Sequence, residues 1–170
     1  MKIIHSFAMA IALAFAIMPG ARGAEPQAAK GAGKLDAKQI ERGRYLLAMG
    51  SCNDCHSAGF APSDGKTPEK DWLKGDTVGF RGPWGTTYAT NLRLSLSRTT
   101  EDQWVAYAKA LKVRPPMPWF NLNQWNEADL RSFYRYVRYL GPAGEPAPQA
   151  LPPGQQPKTP VIQWPAPPKS

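Results

Sequence analysis

The chain has 170 residues, enough for one domain with its own core, and carries 21 Lys and Arg against 13 Asp and Glu, a formal net charge of +8. No five consecutive residues are Lys or Arg, which argues against a nucleic-acid-binding protein. No apolar stretch reaches the roughly 20 residues that a transmembrane helix needs. Only two cysteines and two histidines are present, which limits the metal sites that the chain can form.

The N-terminus has the form of a secretory signal peptide. Lys2 precedes an apolar run from residue 7 to residue 18, and Pro19-Gly20 and small residues near position 23 follow. Residues 1–23 are therefore predicted to be removed on export to the periplasm; the alternative is an uncleaved membrane anchor. Because Lys2 and Arg22 leave with the signal, 19 basic and 13 acidic residues remain, a net charge of +6. Residues 24–34 are predicted to be a flexible lead.

A first helix is predicted from Leu35 to Gly50. Asp36 is a suitable N-cap, and apolar or small residues recur at helical spacing, at positions 40, 43, 46 and 47. Gly43 lowers helix stability relative to Ala, and a glycine in this position indicates close approach by another element. The helix leads directly into the sequence SCNDCHS, residues 51–57.

The stretch SCNDCHS contains Cys52, Cys55 and His56, and three kinds of site compete for it. A redox dithiol requires a βαβ setting that the flanking sequence does not provide, and a zinc site requires four ligands, whereas only His5 remains beyond His56. C-x-x-C-H is the c-type haem attachment signature. In that interpretation the two thiols form thioethers with the haem and the imidazole binds the iron, and export fits because c-type haem is attached outside the cytoplasm.

The remainder of the chain alternates irregular and helical segments. Residues 57–98 are rich in Gly, Pro, Thr and Trp and are predicted to be an irregular loop wrapped around a large group. Thr100 and Gln103 form a capping box that begins a helix containing Trp104. A last helix is predicted from Asn126 to Leu140, ended by Gly141-Pro142.

The C-terminal strap, residues 141–170, contains 10 of the 18 prolines and is predicted to be extended. Its apolar residues, Val161, Ile162 and Trp164, prefer to be covered. Either they pack onto the protein's own domain or they form a docking strip for a partner.

The sixth ligand of a haem iron is predicted to be Met117. Without the signal peptide, His56 is the only histidine, so bis-histidine ligation within the chain is excluded. Met49 lies next to the cysteine motif, whereas Met117 lies in the stiff sequence RPPMPWF, far from His56 in the chain. The alternative is a core methionine that fills an apolar gap. His/Met ligation is known in haem proteins and raises the reduction potential.

These motifs together resemble class I monohaem cytochrome c, and GPWGTTYATNL at residues 82–92 is similar to bacterial domains that serve periplasmic or membrane-bound dehydrogenases. The resemblance covers residues 35–140. It implies a mainly α fold of about three to five helices around one covalent haem c, with thioethers at Cys52 and Cys55 and iron ligation by His56 and Met117. In that family the first and last helices cross where a glycine permits close contact.

We therefore expect a periplasmic electron carrier between a dehydrogenase-type donor and a respiratory acceptor, and not an enzyme. Both axial positions would be filled, and no histidine would remain as a general base. Two alternatives stay open: a haem-based ligand sensor with a displaceable Met117, and a dedicated cytochrome subunit of a membrane dehydrogenase complex.

The expected partners are redox proteins with acidic docking surfaces, since the chain is basic just before Met117. The predicted steering charges are Lys109, Lys112 and Arg114. Candidate residues for the haem walls or propionate contacts, which ordinary core packing would explain equally well, are Trp72, Tyr88, Asn91, Trp104 and Trp119.

Overall fold

The structure, a computed structural model, describes residues 36–165. The predicted signal peptide (1–23) and flexible lead (24–34) lie outside the described residues, as do the last five residues of the strap. The helices are α1 Ala37–Met49, α2 Cys52–His56, α3 Leu92–Ser97, α4 Glu101–Ala110, α5 Trp119–Gln124 and α6 Glu127–Leu140. The strands are β1 Gly79–Gly82, β2 Gly85–Tyr88 and β3 Val161–Gln163.

The fold is mainly helical, as predicted, with one small sheet of three strands in the order β2-β1-β3. The described residues form six α-helices, more than the three to five expected, because α2 and α5 are too short to show a helical repeat in the sequence. Within residues 36–165, no helix combines the length and the apolar character needed to cross a bilayer.

The segment 57–98 is more regular than predicted. It contains two short 3-10 turns, the antiparallel β1–β2 hairpin and α3. The hairpin pairs Gly79 with Tyr88 and Gly82 with Gly85. The prediction of an irregular loop was wrong here because the two strands have four residues each and α3 has six, too few to show a clear periodicity. The third strand, β3, comes from a distant part of the chain.

Helices α1 and α6 cross at Gly43, which is buried. A Cβ atom at this position would lie 2.1 Å from the carbonyl oxygen of Ser132 and 2.6 Å from Cβ of Tyr136. The buried side chains of Leu47, Leu130 and Val137 belong to the core that these helices share with α3 and α4. The predicted close approach at Gly43 is therefore confirmed.

The predicted helix termini are also confirmed. The Asp36 carboxylate accepts a hydrogen bond from the Lys38 amide at the start of α1. Thr100 and Gln103 make both hydrogen bonds of a capping box at the start of α4. Asn126 caps α6, and Gly141, with a φ of 71°, ends it. Local hydrogen bonding thus sets the limits of the long helices.

The described part of the strap, residues 141–165, contacts its own domain. β3 pairs with β1 in parallel register, with Gly79 opposite Val161 and Arg81 opposite Gln163. Further back, Thr86 and Leu151 exchange two backbone hydrogen bonds of 3.0 and 2.8 Å. The rings of Trp84 and Trp164 meet edge to face with centroids 6.1 Å apart. The strap therefore adds the third strand of the sheet, and the sequence of that strand shows no clear strand pattern.

Candidate functional site

A cavity of about 880 Å³ lies between α2, the hairpin and the segment that follows α4. This volume falls within the roughly 300–1,000 Å³ of small-molecule and cofactor sites. All four of the site residues predicted from the sequence line it: Cys52, Cys55, His56 and Met117. The fold thus brings together one histidine, one methionine and two cysteines from distant parts of the chain.

Cys52 and Cys55 lie on the single turn of α2, and residues three apart on a helix share a face. Both cysteines are free. Burial raises the pKa of the Cys52 thiol to about 12, and burial also raises the pKa of the Cys55 thiol. Because a redox dithiol depends on a lowered thiol pKa, the pair does not have the electrostatic setting of such a site.

His56 is buried, and its Nδ1 lies 2.8 Å from the carbonyl oxygen of Thr90. A carbonyl oxygen only accepts hydrogen bonds, so Nδ1 must donate, and in the neutral ring the lone pair is then on Nε2. Burial also lowers the pKa of His56, which favours the neutral ring. A neutral imidazole whose other nitrogen donates to a carbonyl is the usual form of a metal-ligating histidine.

The backbone around His56 is fixed by a second set of hydrogen bonds. The Gly75 amide donates to the His56 carbonyl oxygen at 2.8 Å. The buried Ser57 hydroxyl donates to Asn53 and accepts from the Leu73 amide, each at 2.7 Å. Gly75 has a φ of +79°, and a Cβ there would lie 2.8 Å from the Ala89 carbonyl oxygen, so glycine permits the close crossing that holds this part of the cavity.

Met117 is half-buried and lies in residues 112–118, the methionine segment. This segment is hydrogen-bonded to the hairpin. The Thr87 hydroxyl donates to the Pro115 carbonyl oxygen at 2.7 Å. The Arg114 guanidinium donates to the carbonyl oxygens of Trp84 and Leu151 at 2.8 and 3.0 Å. These hydrogen bonds attach the methionine segment to both the sheet and the strap.

The walls of the cavity are largely apolar, and Trp104 and Phe133 contribute to them. Their rings stack with centroids 5.5 Å apart, and the Trp104 indole donates to the Leu130 carbonyl oxygen at 2.9 Å. The indole nitrogen of Trp104 is therefore already hydrogen-bonded within the core, so only the apolar surface of the ring is available to contact a ligand.

Of the five predicted wall candidates, Tyr88 and Trp104 line the cavity. The other three are not among its lining residues in the part of the chain that the structure describes. Trp72 donates to the Thr67 carbonyl oxygen at 2.8 Å, and Asn91 caps α3 and donates to the Ala143 carbonyl oxygen at 2.8 Å. Trp119 contacts Phe120 edge to face.

The sheet and the strap provide lining residues that were not predicted from the sequence, among them Phe80, Thr87 and Ala150. Phe80 and Thr87 are opposite each other in the hairpin. The adjacent Thr, Thr and Tyr of GTTY at residues 85–88 were a usable signal for a strand, because these residue types are enriched in strands. For Ala150 the sequence offered no signal, because its position depends on pairing between distant segments.

The predicted steering charges have different surroundings. Lys112 and Arg114 are exposed and line the cavity. Lys109 instead donates to the carbonyl oxygens of Asn123 and Trp125, at the C-terminal end of α5. Arg93, a further basic residue, is buried and donates to the Lys70 carbonyl oxygen at 2.8 Å. A hydrogen bond to a carbonyl oxygen leaves the positive charge in place, so Lys109 stays an exposed cation and only Arg93 is removed from the surface.

Among residues 36–165, no three His, Cys, Asp or Glu side chains are grouped closely enough to hold a metal ion between them. The donor set of the cavity is one imidazole, one thioether and two thiols. Such a set, surrounded by apolar walls, suits a large planar group that brings most of its own ligands.

Comparison with known proteins finds a similarity to a curated protein of Pseudomonas putida that is named as a subunit of nicotinate dehydrogenase. The two are 28% identical over 153 aligned positions, which cover 84% of this chain and 12% of the relative. The chain thus spans about an eighth of the length of the curated relative that it matches. No protein-family model matches the chain, and no solved structure matches it.

Proposed function

We propose that the chain binds one covalent haem c in this cavity and carries single electrons in the periplasm, between a dehydrogenase-type donor and a respiratory acceptor. The observation that carries the proposal is the meeting of Cys52, Cys55, His56 and Met117 at one apolar cavity. Chance association of a C-x-x-C-H motif with a distant methionine would leave no reason for the four to line the same cavity.

The residues present fit a haem in both size and chemistry. The cavity has the volume of a cofactor site, and its two half-buried cysteines are free. His56 is oriented by Thr90 with Nε2 as the lone-pair nitrogen, and Met117 offers a thioether. When bound, a haem would supply a reversible one-electron couple at its iron.

The chain's own residues would bind the group, orient its ligands and exclude water. Thr90 fixes the His56 ring, Thr87 fixes the methionine segment, and Trp104 covers an apolar wall. If His56 and Met117 both held the iron, a bound haem would offer no open position to a substrate, and no second histidine is available in the described residues as a general base. We therefore propose electron transfer rather than catalysis.

A second candidate is a dedicated cytochrome component of a dehydrogenase complex. The similarity to a protein named as part of a dehydrogenase supports it. The site would have the same chemistry in both cases, and only the permanence of the partner would differ.

The test is a redox titration of the purified, haem-loaded protein, with carbon monoxide added to the reduced form. We expect one electron per chain and only weak carbon monoxide binding to the wild-type protein. Ready binding of carbon monoxide would favour a ligand sensor instead. Isolation from the native host distinguishes a free carrier, which elutes alone, from a dedicated component, which elutes with a dehydrogenase.

A further inference from the structure

The strap reaches the cavity that contains Met117. Ala150 lines the cavity, and Leu151, the next residue, exchanges backbone hydrogen bonds with Thr86 on β2. Beyond them, the Tyr88 hydroxyl lies 2.9 Å from the Thr159 hydroxyl, and the Gly79 amide donates to the Pro160 carbonyl oxygen at 2.9 Å. The strap is therefore attached to both strands of the hairpin that supports the cavity.

Arg114 connects the strap to the methionine segment. A single nitrogen of its guanidinium, Nη1, donates to Leu151 on the strap and to Trp84 at the turn of the hairpin. Thr87, on the same hairpin, binds the Pro115 carbonyl oxygen. Two residues that shortly precede Met117 are thus bonded to the hairpin, and one of them is also bonded to the strap.

Gly85 allows the strap to lie this close. Its φ is +96°, and a Cβ atom would lie 2.2 Å from the Leu151 carbonyl oxygen and 2.7 Å from the Pro152 carbonyl carbon. The Leu151 oxygen that blocks a side chain at Gly85 is the same oxygen that accepts from Arg114. Contact between strap and hairpin is therefore coupled to the position of the methionine segment.

We propose that the strap positions Met117: through Leu151 and Arg114 it holds the methionine segment against the hairpin, so that the thioether stays at the cavity. This inference rests on the proposed function and adds a role for residues outside the haem-binding domain predicted from the sequence. Arg114 and Gly85 are positioning residues in this account, because they act through the segment and not on the ligand itself. A thioether is a weak ligand, so the stiffness of its support determines how often the position opens.

Two variants of the full-length, haem-loaded protein test the proposal. Arg114→Ala removes both hydrogen bonds from the methionine segment, and Arg98→Ala, which removes an exposed arginine outside the cavity, is its charge control. Gly85→Ala pushes Leu151 away, and Gly154→Ala is its matched control. Gly154 also has a left-handed φ, +85°, but a Cβ there would meet nothing within 4 Å.

The readouts are the ferric sulfur-to-iron charge-transfer band and the affinity of the reduced protein for carbon monoxide. In Arg114→Ala and Gly85→Ala we expect a weaker band and an affinity raised about tenfold, since apparent affinity follows the fraction of open sites. Both controls should match the wild type. If Gly85→Ala does not fold, Arg114→Ala alone decides.

If Arg114→Ala has the same band and the same carbon monoxide affinity as the wild type, the positioning role is overturned and the proposed function stays intact. Equal effects in the variants and in their controls also overturn it, because the cause would then be charge or backbone strain. A wild-type protein without the band contradicts methionine ligation itself, and the positioning role falls with it.

Discussion

His56 and Met117 are held in different ways, although both line the cavity. His56 is buried, lies in a helix and is hydrogen-bonded to Thr90 through its ring. Met117 is half-buried, lies outside any helix or strand, and is held only through its neighbours in the segment. The methionine side is therefore the one at which a substitution should change access to the site while the fold remains intact.

Met117→Ala should remove the ferric sulfur-to-iron band, lower the reduction potential and allow carbon monoxide to bind the reduced protein. The physical reason is that loss of the thioether removes a ligand that stabilises the reduced iron and fills its sixth position. Absorption spectroscopy, potentiometry and carbon monoxide titration measure the three effects.

Met49→Ala is the matched control for this substitution. Met49 is 64% exposed and does not line the cavity, so its loss should leave all three measurements at wild-type values. If Met117→Ala also behaves like the wild type, Met117 is a wall residue and another group holds that position.

The helices that the sequence predicted well are those whose ends carry their own hydrogen-bonding signals. Asp36, Thr100 and Asn126 cap α1, α4 and α6 as expected. The sheet was not predicted, because β3 pairs with β1 across about 80 residues of chain and its three residues carry no pattern of their own. Local chemistry therefore identified the long helices, whereas the third strand depends on non-local pairing.

Gly43→Ala should lower the free energy of unfolding by about 2–3 kcal/mol or more, because overpacking of a close contact costs this much. An added Cβ would collide with Ser132 on α6. The direction of the change in stability is informative, because at an exposed helical position a Gly-to-Ala substitution stabilises the protein by up to about 1 kcal/mol. Urea unfolding, monitored by circular dichroism, measures the difference.

Glu41→Ala provides the control on the same helix, since Glu41 is exposed and its replacement should change stability by less than about 0.5 kcal/mol. A Gly43→Ala protein as stable as the wild type would mean that α1 and α6 do not cross at this residue.

For the whole molecule, the sequence identified four residues that the fold brings to one cavity, but not the surface that surrounds them. Cys52, Cys55 and His56 were recognisable from their spacing, and Met117 from the stiff prolines beside it. Ala150 was not recognisable, because its place depends on the strap contacting β2. The surroundings of the charges were also not recognisable, since Arg93 is buried and Lys109 is bonded to backbone carbonyls of α5 and its C-cap.

Lys112 is the predicted steering charge that remains most clearly at the surface, exposed at the cavity and without a hydrogen-bonded partner among the described residues. Lys112→Glu should slow electron transfer with an acidic partner several-fold at low ionic strength and flatten its salt dependence. Stopped-flow kinetics over a range of salt concentrations would measure both.

Lys38→Glu makes the same charge change on α1, at a residue that does not line the cavity. It should retain most of the wild-type rate at every salt concentration. If the two variants are slowed equally, net charge controls the encounter and the cavity edge has no special role.

The most direct test of the central claim is whether haem stays on the denatured protein after acidic organic extraction, measured by intact mass. The exported wild-type protein should retain the mass of one haem, and Cys52→Ala and Cys55→Ala should disrupt this attachment. Complete extraction of the haem from the wild-type protein, leaving the bare polypeptide mass, would contradict the claim.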